Sequence, residues 1–595
     1  MYQNKKIIGN TSLTSFDVIV IGSGSGGSAA AAVLAQNGQK VLVLEAGSNY
    51  FEGLDDPDPT KLKTLFSNDE VKMLRRNFIH PDSTVEPRTF RGGTDEDRDF
   101  VGDVNHLPKT VGGGAVHADL KMPRFAPADF KLGSLLGEVS GTSFADWPVD
   151  YDMLEPFYDY AERAIGVQGV AGANPFEGPR KNPFPMPPGM PMYMGLKLSE
   201  GAKKLGYNPF PYPTAVNSRP YDGRPACSDC GFCGSYGCAT SAKGSPAVTF
   251  LRKALLTGNC QLRAETRVVR LRYSSSSKEI TGVDALDPNG KPISFQAPRY
   301  VLAASPIENA RLLFLSDSSG KGLGNSNDLV GRNLTFHFQT LAIGIFEERL
   351  HSHRGRTVSH GMADFRGIPG DPDHPLGGIV EFGAAGEPIR ETLNYQQLLR
   401  LRGVFLKSMM EQSPLRDRIV ALIMQAEDAP QLTNRVDLDP DYKDLDGLPV
   451  ARVTYQSHDF ELKARDFYSP KLLNVLEAAG AKYGLIAPLE DIPVSRHIMG
   501  TLRFGNDPKT SVCNSSGRFH EIENLYAADG SLFPTSSGYN PTMTIMTLGA
   551  RVGACMVDEN APERAIGQQP PETAQVFTDS ISSGASSAFR NFDPK

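Results

Sequence analysis

Positive charge is in deficit: 61 Lys and Arg stand against 68 Asp and Glu, a net charge of −7. A nucleic-acid binder usually needs a basic face, and this balance offers none. Cysteine is scarce, with seven in 595 residues, which excludes a disulfide scaffold. No run of about 18 apolar residues occurs, so no transmembrane helix is expected. The stretch before the first strand, MYQNKKIIGNTSLTSFD, has no apolar h-region. No ordinary secretory signal is therefore expected, and a cytoplasmic location follows, with export on a partner subunit's signal left open. What is present is an ordinary globular share, 40% hydrophobic and 22% charged residues. That excludes a mostly disordered chain, a coiled coil and a fibrous repeat. The length gives a prior of about four domains, although large α/β enzymes often fold as two. Gly (59) and Pro (44) are both plentiful, which predicts tight turns and long irregular loops.

The first clear element is Asp17-Val-Ile-Val-Ile21, a continuous apolar run of the kind that forms a strand buried on both faces. It enters Gly22-Ser-Gly24-Ser-Gly26-Gly27 and then an Ala-rich stretch predicted to be helical from Ser28 to Asn37. A second buried strand, Lys40 to Leu44, ends at Glu45. This is a βαβ unit with G-x-G-x-x-G at Gly22, Gly24 and Gly27. Such glycines let backbone approach a pyrophosphate, the helix N-terminus donates N–H groups to it, and the acid accepts from ribose hydroxyls. A lone glycine motif is weak. Strand, helix, second strand and acid together point to dinucleotide binding.

Further along, Gly112-Gly-Gly114 precedes Ala-Val-His117, and residues 151–164 read as a helix despite a proline. Residues 174–225 hold many of the prolines and read as a long, stiff, irregular functional loop. From about His337 to Tyr455 the pattern alternates, which suits an antiparallel sheet of a second domain. Residues 559–595, poor in apolar content, are expected to be a disordered tail. Near the far end come His497-Ile-Met-Gly-Thr501-Leu-Arg503, then Asp529-Gly-Ser531, then Asn540-Pro541-Thr542-Met-Thr544 opening an apolar helix to about Met556. Pro541 suits the first helical position. Alone, His497 reads as a core histidine and Asn540 as an N-cap.

The ordered set resembles the glucose–methanol–choline (GMC) oxidoreductases, flavoproteins that oxidise alcohols and sugars with FAD. The βαβ unit, Trp147-Pro148-Val-Asp-Tyr151, Val330-Gly-Arg-Asn333-Leu334, the H-x-x-G-T-x-R segment and the D-G-S…N-P-T-x-T segment match in order from residue 17 to about 556. The resemblance implies an α/β fold with a discontinuous Rossmann-like FAD-binding domain (14–128, 226–335 and 491–558) and a mixed-sheet substrate domain (129–225 and 336–490). It places Gly22, Gly24, Gly27, Glu45, Gly113, His117, Val268, Asp529, Pro541 and Thr542 at the cofactor. It makes His497 and Asn540 the catalytic pair. Alcohol oxidation removes an O–H proton and a C–H hydride, and a neutral imidazole suits the proton. Asn can orient the hydroxyl without titrating. His520 has no motif support and reads as structural. His337 reads equally as a pocket residue or a domain-junction residue.

Two features depart from the plain pattern. Some members of the family carry a histidine at the position of His117 bonded covalently to FAD; the alternative is noncovalent stacking or hydrogen bonding. The run Cys227-x2-Cys230-x2-Cys233-x4-Cys238 is similar to ferredoxin-type iron–sulfur runs, though the usual last gap is three. A zinc site is less favoured, because it usually takes two separated pairs. Unligated cysteines in a glycine-rich loop with Lys243, as in long-chain alcohol oxidases of the family, are the rival. Cys260, Cys513 and Cys555 read as buried thiols. The expected function is oxidation of a sugar or glycoside hydroxyl. A long-chain or sterol alcohol and a flavin-binding electron-transfer subunit are the alternatives. Oxygen, a quinone or a partner subunit would be the electron acceptor.

Overall fold

The computed structural model describes residues 6–66, 81–93, 98–383, 395–396, 400–413, 415 and 417–567. Residues 568–595 of the expected tail lie outside the described residues, and the part before them carries a short turn of helix, Pro562–Ile566.

A six-stranded sheet runs in the order Ile7–Gly9, Cys260–Arg263, Val41–Leu44, Val18–Ile21, Arg299–Leu302, Leu525–Ala527. Every neighbouring pair is parallel except the antiparallel edge made by Ile7–Gly9. The runs VIVI and VLVL are buried at every residue, as strands covered on both faces must be. Parallel pairing of sequence-distant strands brings the two ends of the chain together. The end of Leu525–Ala527 thus lies two strands from the end of Val18–Ile21.

The first helix is Ser25–Gln36, so it starts three residues earlier than the sequence predicts, taking Gly26 and Gly27 into its first turn. Close packing explains those glycines. A Cβ on Gly26 would lie 1.7 Å from the Ala528 carbonyl oxygen, and one on Gly549 would lie 2.4 Å from the Gly26 carbonyl oxygen. The helix therefore presses against both the chain leaving Leu525–Ala527 and the helix Thr542–Val557.

A second six-stranded sheet is antiparallel, in the order Tyr483–Ile486, Phe338–Ile345, Ile419–Ala426, Gly378–Gly383, Val358–Met362, Phe210–Pro211. The alternation across 337–455 produces it. Phe338, Ala342, Leu422, Met424, Val380 and Phe382 face a core shared with Leu472, Val475 and Leu476 of the helix Asp459–Ala478. The intervening residues, among them Gln339, Leu341, Ala421 and Ile423, line a cavity on the opposite face.

A four-stranded sheet pairs Arg435–Lys443, Pro449–Thr454, Arg88–Arg91 and Phe100–Gly102, and a three-stranded meander spans Arg267–Ser274, Glu279–Leu286 and Pro292–Phe295. The helix Tyr151–Ile165 forms around Pro156, with Asp150 capping the Met153 N–H. The 174–225 segment is not irregular throughout: it contains the helix Tyr193–Lys204 and the edge strand Phe210–Pro211. Its helix buries Met194, Leu198 and Ala202 at a spacing that the neighbouring prolines mask in the sequence.

Candidate active site

One cavity of about 910 Å³ joins the motifs from both ends of the chain. Gly22, Gly24, Glu45, Gly113, His117, Val268, Asp529, Pro541, Thr542, His497 and Asn540 all line it. Gly27 does not; it sits behind the loop, where an added Cβ would meet the Gly22 carbonyl oxygen at 2.2 Å.

The dinucleotide end fits a pyrophosphate. The helix Ser25–Gln36 has no side-chain cap, and its N-terminal residues Gly24, Ser25 and Gly26 open onto the cavity. A Cβ built on Gly24 meets no atom within 4 Å, so the backbone there faces open space. The helix Thr542–Val557 is also uncapped, and Asn540, Pro541 and Thr542 at its start line the same cavity. Two helix N-termini thus present partial positive charge to one volume.

The two acids have structural partners as well as a cavity face. Glu45 accepts from the Ser23 N–H (2.9 Å), the Ser23 hydroxyl (2.7 Å) and the Gly47 N–H (2.7 Å), which fixes the glycine loop against the end of its neighbouring strand. Asp529 accepts from the Ser305 N–H (2.9 Å), Asn309 Nδ2 (3.0 Å) and the Ser531 N–H (3.0 Å). It therefore braces the turn after Arg299–Leu302. Ion pairs also line the cavity: Arg88 with Glu308 (2.8 Å), Lys109 with Glu86 (2.5 Å) and Arg311 with Asp444 (2.7 Å).

At the other end, His497 Nδ1 lies 2.8 Å from His337 Nδ1. His337 Nε2 lies 3.0 Å and 2.8 Å from the carbonyl oxygens of Ser536 and Ser537. Two carbonyls can only accept, so Nε2 of His337 carries its proton and Nδ1 is an acceptor. His497 must then donate from Nδ1, which leaves the lone pair on its Nε2. Burial pushes the His497 pKa well below its ordinary value, with the neighbouring His337 and Lys121 acting in the same direction. Burial also pushes His337 down to about 4. Both imidazoles are neutral at neutral pH. His337, which the sequence left between two readings, is thus bonded directly to His497.

Asn540 is held on both sides. The Tyr212 hydroxyl donates to its Oδ1 (2.5 Å), and its Nδ2 donates to Glu381 Oε1 (2.7 Å). Glu381 is fully buried; its other oxygen pairs with Lys121 Nζ at 2.6 Å. Neither Glu381, Lys121 nor Tyr212 was singled out by sequence. A glutamate inside the apolar strand GIVEFG was the one available signal, and its position in the alternation puts it on the cavity side. His520 does not line the cavity and bonds the Ser511 hydroxyl at 2.9 Å.

The four clustered cysteines share one loop, with Cys227, Cys233 and Cys238 partly buried. Cys230 is exposed, none of the four is in a disulfide, and among the described residues no group of three or more His, Cys, Asp or Glu side chains is placed to hold a metal. Backbone hydrogen bonds organise the loop. Lys243 Nζ, buried beneath it, donates to the carbonyl oxygens of Ala118 (2.8 Å), Cys233 (3.1 Å) and Tyr236 (2.7 Å). The Cys227 sulfur is taken up locally, accepting from the Asp229 N–H at 3.3 Å. Lys243→Met would strand three buried carbonyls and should cost about 3 kcal/mol or more, read as a lowered Tm. An unchanged Tm would mean that something else holds the loop. Cys260, Cys513 and Cys555 are buried, as the sequence suggested.

Residues 192–339 and 430–549 match the GMC oxidoreductase family, and residues 17–51 match an FAD binding domain. The chain is 30% identical over 568 residues to the 2-methyl-1,2-propanediol dehydrogenase of Mycolicibacterium austroafricanum, covering 91% of this chain and 95% of that protein. It is 29% identical over 577 residues to the fructose dehydrogenase large subunit of Gluconobacter japonicus, covering 92% and 98%. Among solved structures, pyridoxine 4-oxidase from Mesorbium loti shares the fold, with a TM-score of 0.61 at 16% identity over 91% of this chain and 98% of that one. The chain belongs to the GMC oxidoreductase family. It is an FAD-dependent oxidoreductase acting on CH–OH donors. No helix among the described residues is long and apolar enough to cross a membrane.

Proposed function

We propose that the protein oxidises a hydroxyl of a sugar or related polyhydroxylated compound, with His497 as the base. The observation that carries this reading is the hydrogen-bond order Ser536/Ser537 carbonyl, His337, His497, which leaves an unprotonated Nε2 on a cavity-lining imidazole. Nε2 takes the substrate O–H proton as the C–H bond loses its hydride. Bound FAD supplies the hydride acceptor. Asn540, pinned between Tyr212 and Glu381, has a second Nδ2 proton with which to orient the substrate oxygen. The polar groups Lys121, Gln339 and Asn540 on the cavity wall favour a sugar over a long-chain alcohol. The diol and fructose dehydrogenases to which the chain is similar support the same class.

Anaerobic flavin bleaching against sugars, glycosides and fatty alcohols tests the reading. Sugars or glycosides should bleach; bleaching by fatty alcohols alone would overturn it. Acid precipitation decides the state of the flavin: a tether through His117 leaves yellow in the pellet, and His117→Ala releases it.

His337 is a positioning residue in this scheme. His337→Leu removes the acceptor for His497 Nδ1 and should slow flavin reduction on the order of 10²-fold with FAD retained. His337→Asn, which keeps an acceptor near the same place, should retain more. Equal rates in the two variants would show that the imidazole pair is not what sets the tautomer.

A further inference from the structure

The wall of the reacting pair contains a buried cation that proton removal does not use. Lys121 Nζ sits between Glu381 Oε2 (2.6 Å) and Asp119 Oδ2 (3.1 Å), with its side chain 14% exposed. Asp119 is itself fixed by the Thr357 hydroxyl at 3.0 Å. Lys121 is placed by a backbone bridge to Thr214, two residues from Tyr212. One carboxylate, that of Glu381, thus holds the Lys121 ammonium on one oxygen and the Asn540 amide on the other. Lys121, Asn540 and His497 all line the same cavity. An ammonium has three donors. Two are taken by the carboxylates, and the third is left for the cavity.

We infer that Lys121 is a specificity-determining residue that donates to a second substrate oxygen, so that the site selects substrates with a hydroxyl close to the carbon being oxidised over those without one. The inference rests on the reading of His497 and Asn540 as the reacting pair. Those two engage the hydroxyl that is oxidised. Lys121, one carboxylate away along the same wall, is placed for a neighbouring oxygen. A buried donor built for a substrate hydroxyl strongly disfavours the analogue that lacks it, because the donor is then desolvated without a partner. Such selection separates polyols and sugars from simple alcohols of similar size.

The test uses the flavin-loaded enzyme under anaerobic conditions. Its probes are hexoses with their 2-deoxy and 3-deoxy analogues, and 1,2-propanediol against 1-propanol. Wild type should be reduced faster by the polyhydroxylated member of a pair, by about tenfold or more in kcat/KM. Lys121→Met should lose about 10–100-fold on that member and little on its deoxy partner, so that the ratio approaches one. Wild type that does not discriminate overturns the inference, as does Lys121→Met that slows both members equally. Because Lys121→Met leaves two buried carboxylates facing each other, flavin content is measured first. If that variant is colourless, K121M/E381Q, which removes the donor and one of the facing carboxylates and keeps an amide oxygen for Asn540, carries the same comparison. If no hydroxylated compound reduces the wild-type flavin, the proposed function and the inference fall together; if polyols and deoxy analogues reduce it alike, only the inference falls.

Discussion

His497→Ala keeps its FAD and is reduced by substrate about 10²–10⁴-fold more slowly, the usual worth of a positioned general base. The cofactor should stay because the polar groups that fit it are elsewhere, on the uncapped helix start at Gly24–Gly26 and around Glu45. The rate should fall because neither His337 nor Lys121 is prepared in the same way. His337 spends Nε2 on two carbonyls and Nδ1 on His497, and Lys121 is an ammonium that must stay charged between Glu381 and Asp119. The pH profile carries a sign. A base is lost as pH falls through its pKa, so reduction should weaken on the acid side. Burial and the adjacent charge hold His497 well below 6.5, so that limb should lie below the range of an ordinary imidazole. Stopped-flow reduction across pH, in wild type and variant, reads both effects. Fast reduction of His497→Ala by a good substrate would move the base elsewhere, and an acid limb above 6.5 would contradict the buried, neutral imidazole.

The parts of this site that were legible in the sequence are those carried by short local pattern. VIVI, the glycine loop and VLVL form one contiguous βαβ unit, and Asn540-Pro541-Thr542 begins a helix; each declares its structure within a dozen residues. The alternation over 337–455 likewise announced an antiparallel sheet, although not which face of it would meet the cavity. What was not legible depends on contacts between distant segments. His337 and His497 are 160 residues apart, and they meet where a backbone bridge between Thr335 and Met499 joins the chain entering strand Phe338–Ile345 to the chain after His497. The Glu381–Asn540 bond joins residues 159 apart and the Lys121–Glu381 pair joins residues 260 apart. No spacing rule links such partners. The cysteine run also has a partner that sequence does not announce. Lys243 gathers three carbonyls beneath it, a role that no thiol spacing encodes.

Gly24→Leu gives folded protein without flavin. The backbone at Gly24 has φ −66° and ψ −166°, an extended conformation open to any residue, so the substitution adds no backbone strain. A Cβ there meets no protein atom within 4 Å, so the fold does not resist the side chain. The space it would fill is the cavity at the N-terminus of the first helix, where backbone N–H groups are free of a side-chain cap and suited to phosphate oxygens. Its isobutyl group would occupy the cradle and shield those donors, and FAD binding should fall below detection. Gly26→Ala supplies the contrast two residues on. Its Cβ would lie 1.7 Å from the Ala528 carbonyl oxygen, so the helix must move away from the strand end and the protein should lose thermal stability whether or not cofactor is present. Circular dichroism, Tm of the apoprotein and flavin absorbance separate the two. Gly24→Leu should match the wild-type apoprotein in the first two and lack the third, whereas Gly26→Ala should show a lowered Tm. Stoichiometric FAD in Gly24→Leu would mean that the pyrophosphate does not lie against this turn, and the phosphate site would have to move to the second uncapped helix, at Asn540–Thr542.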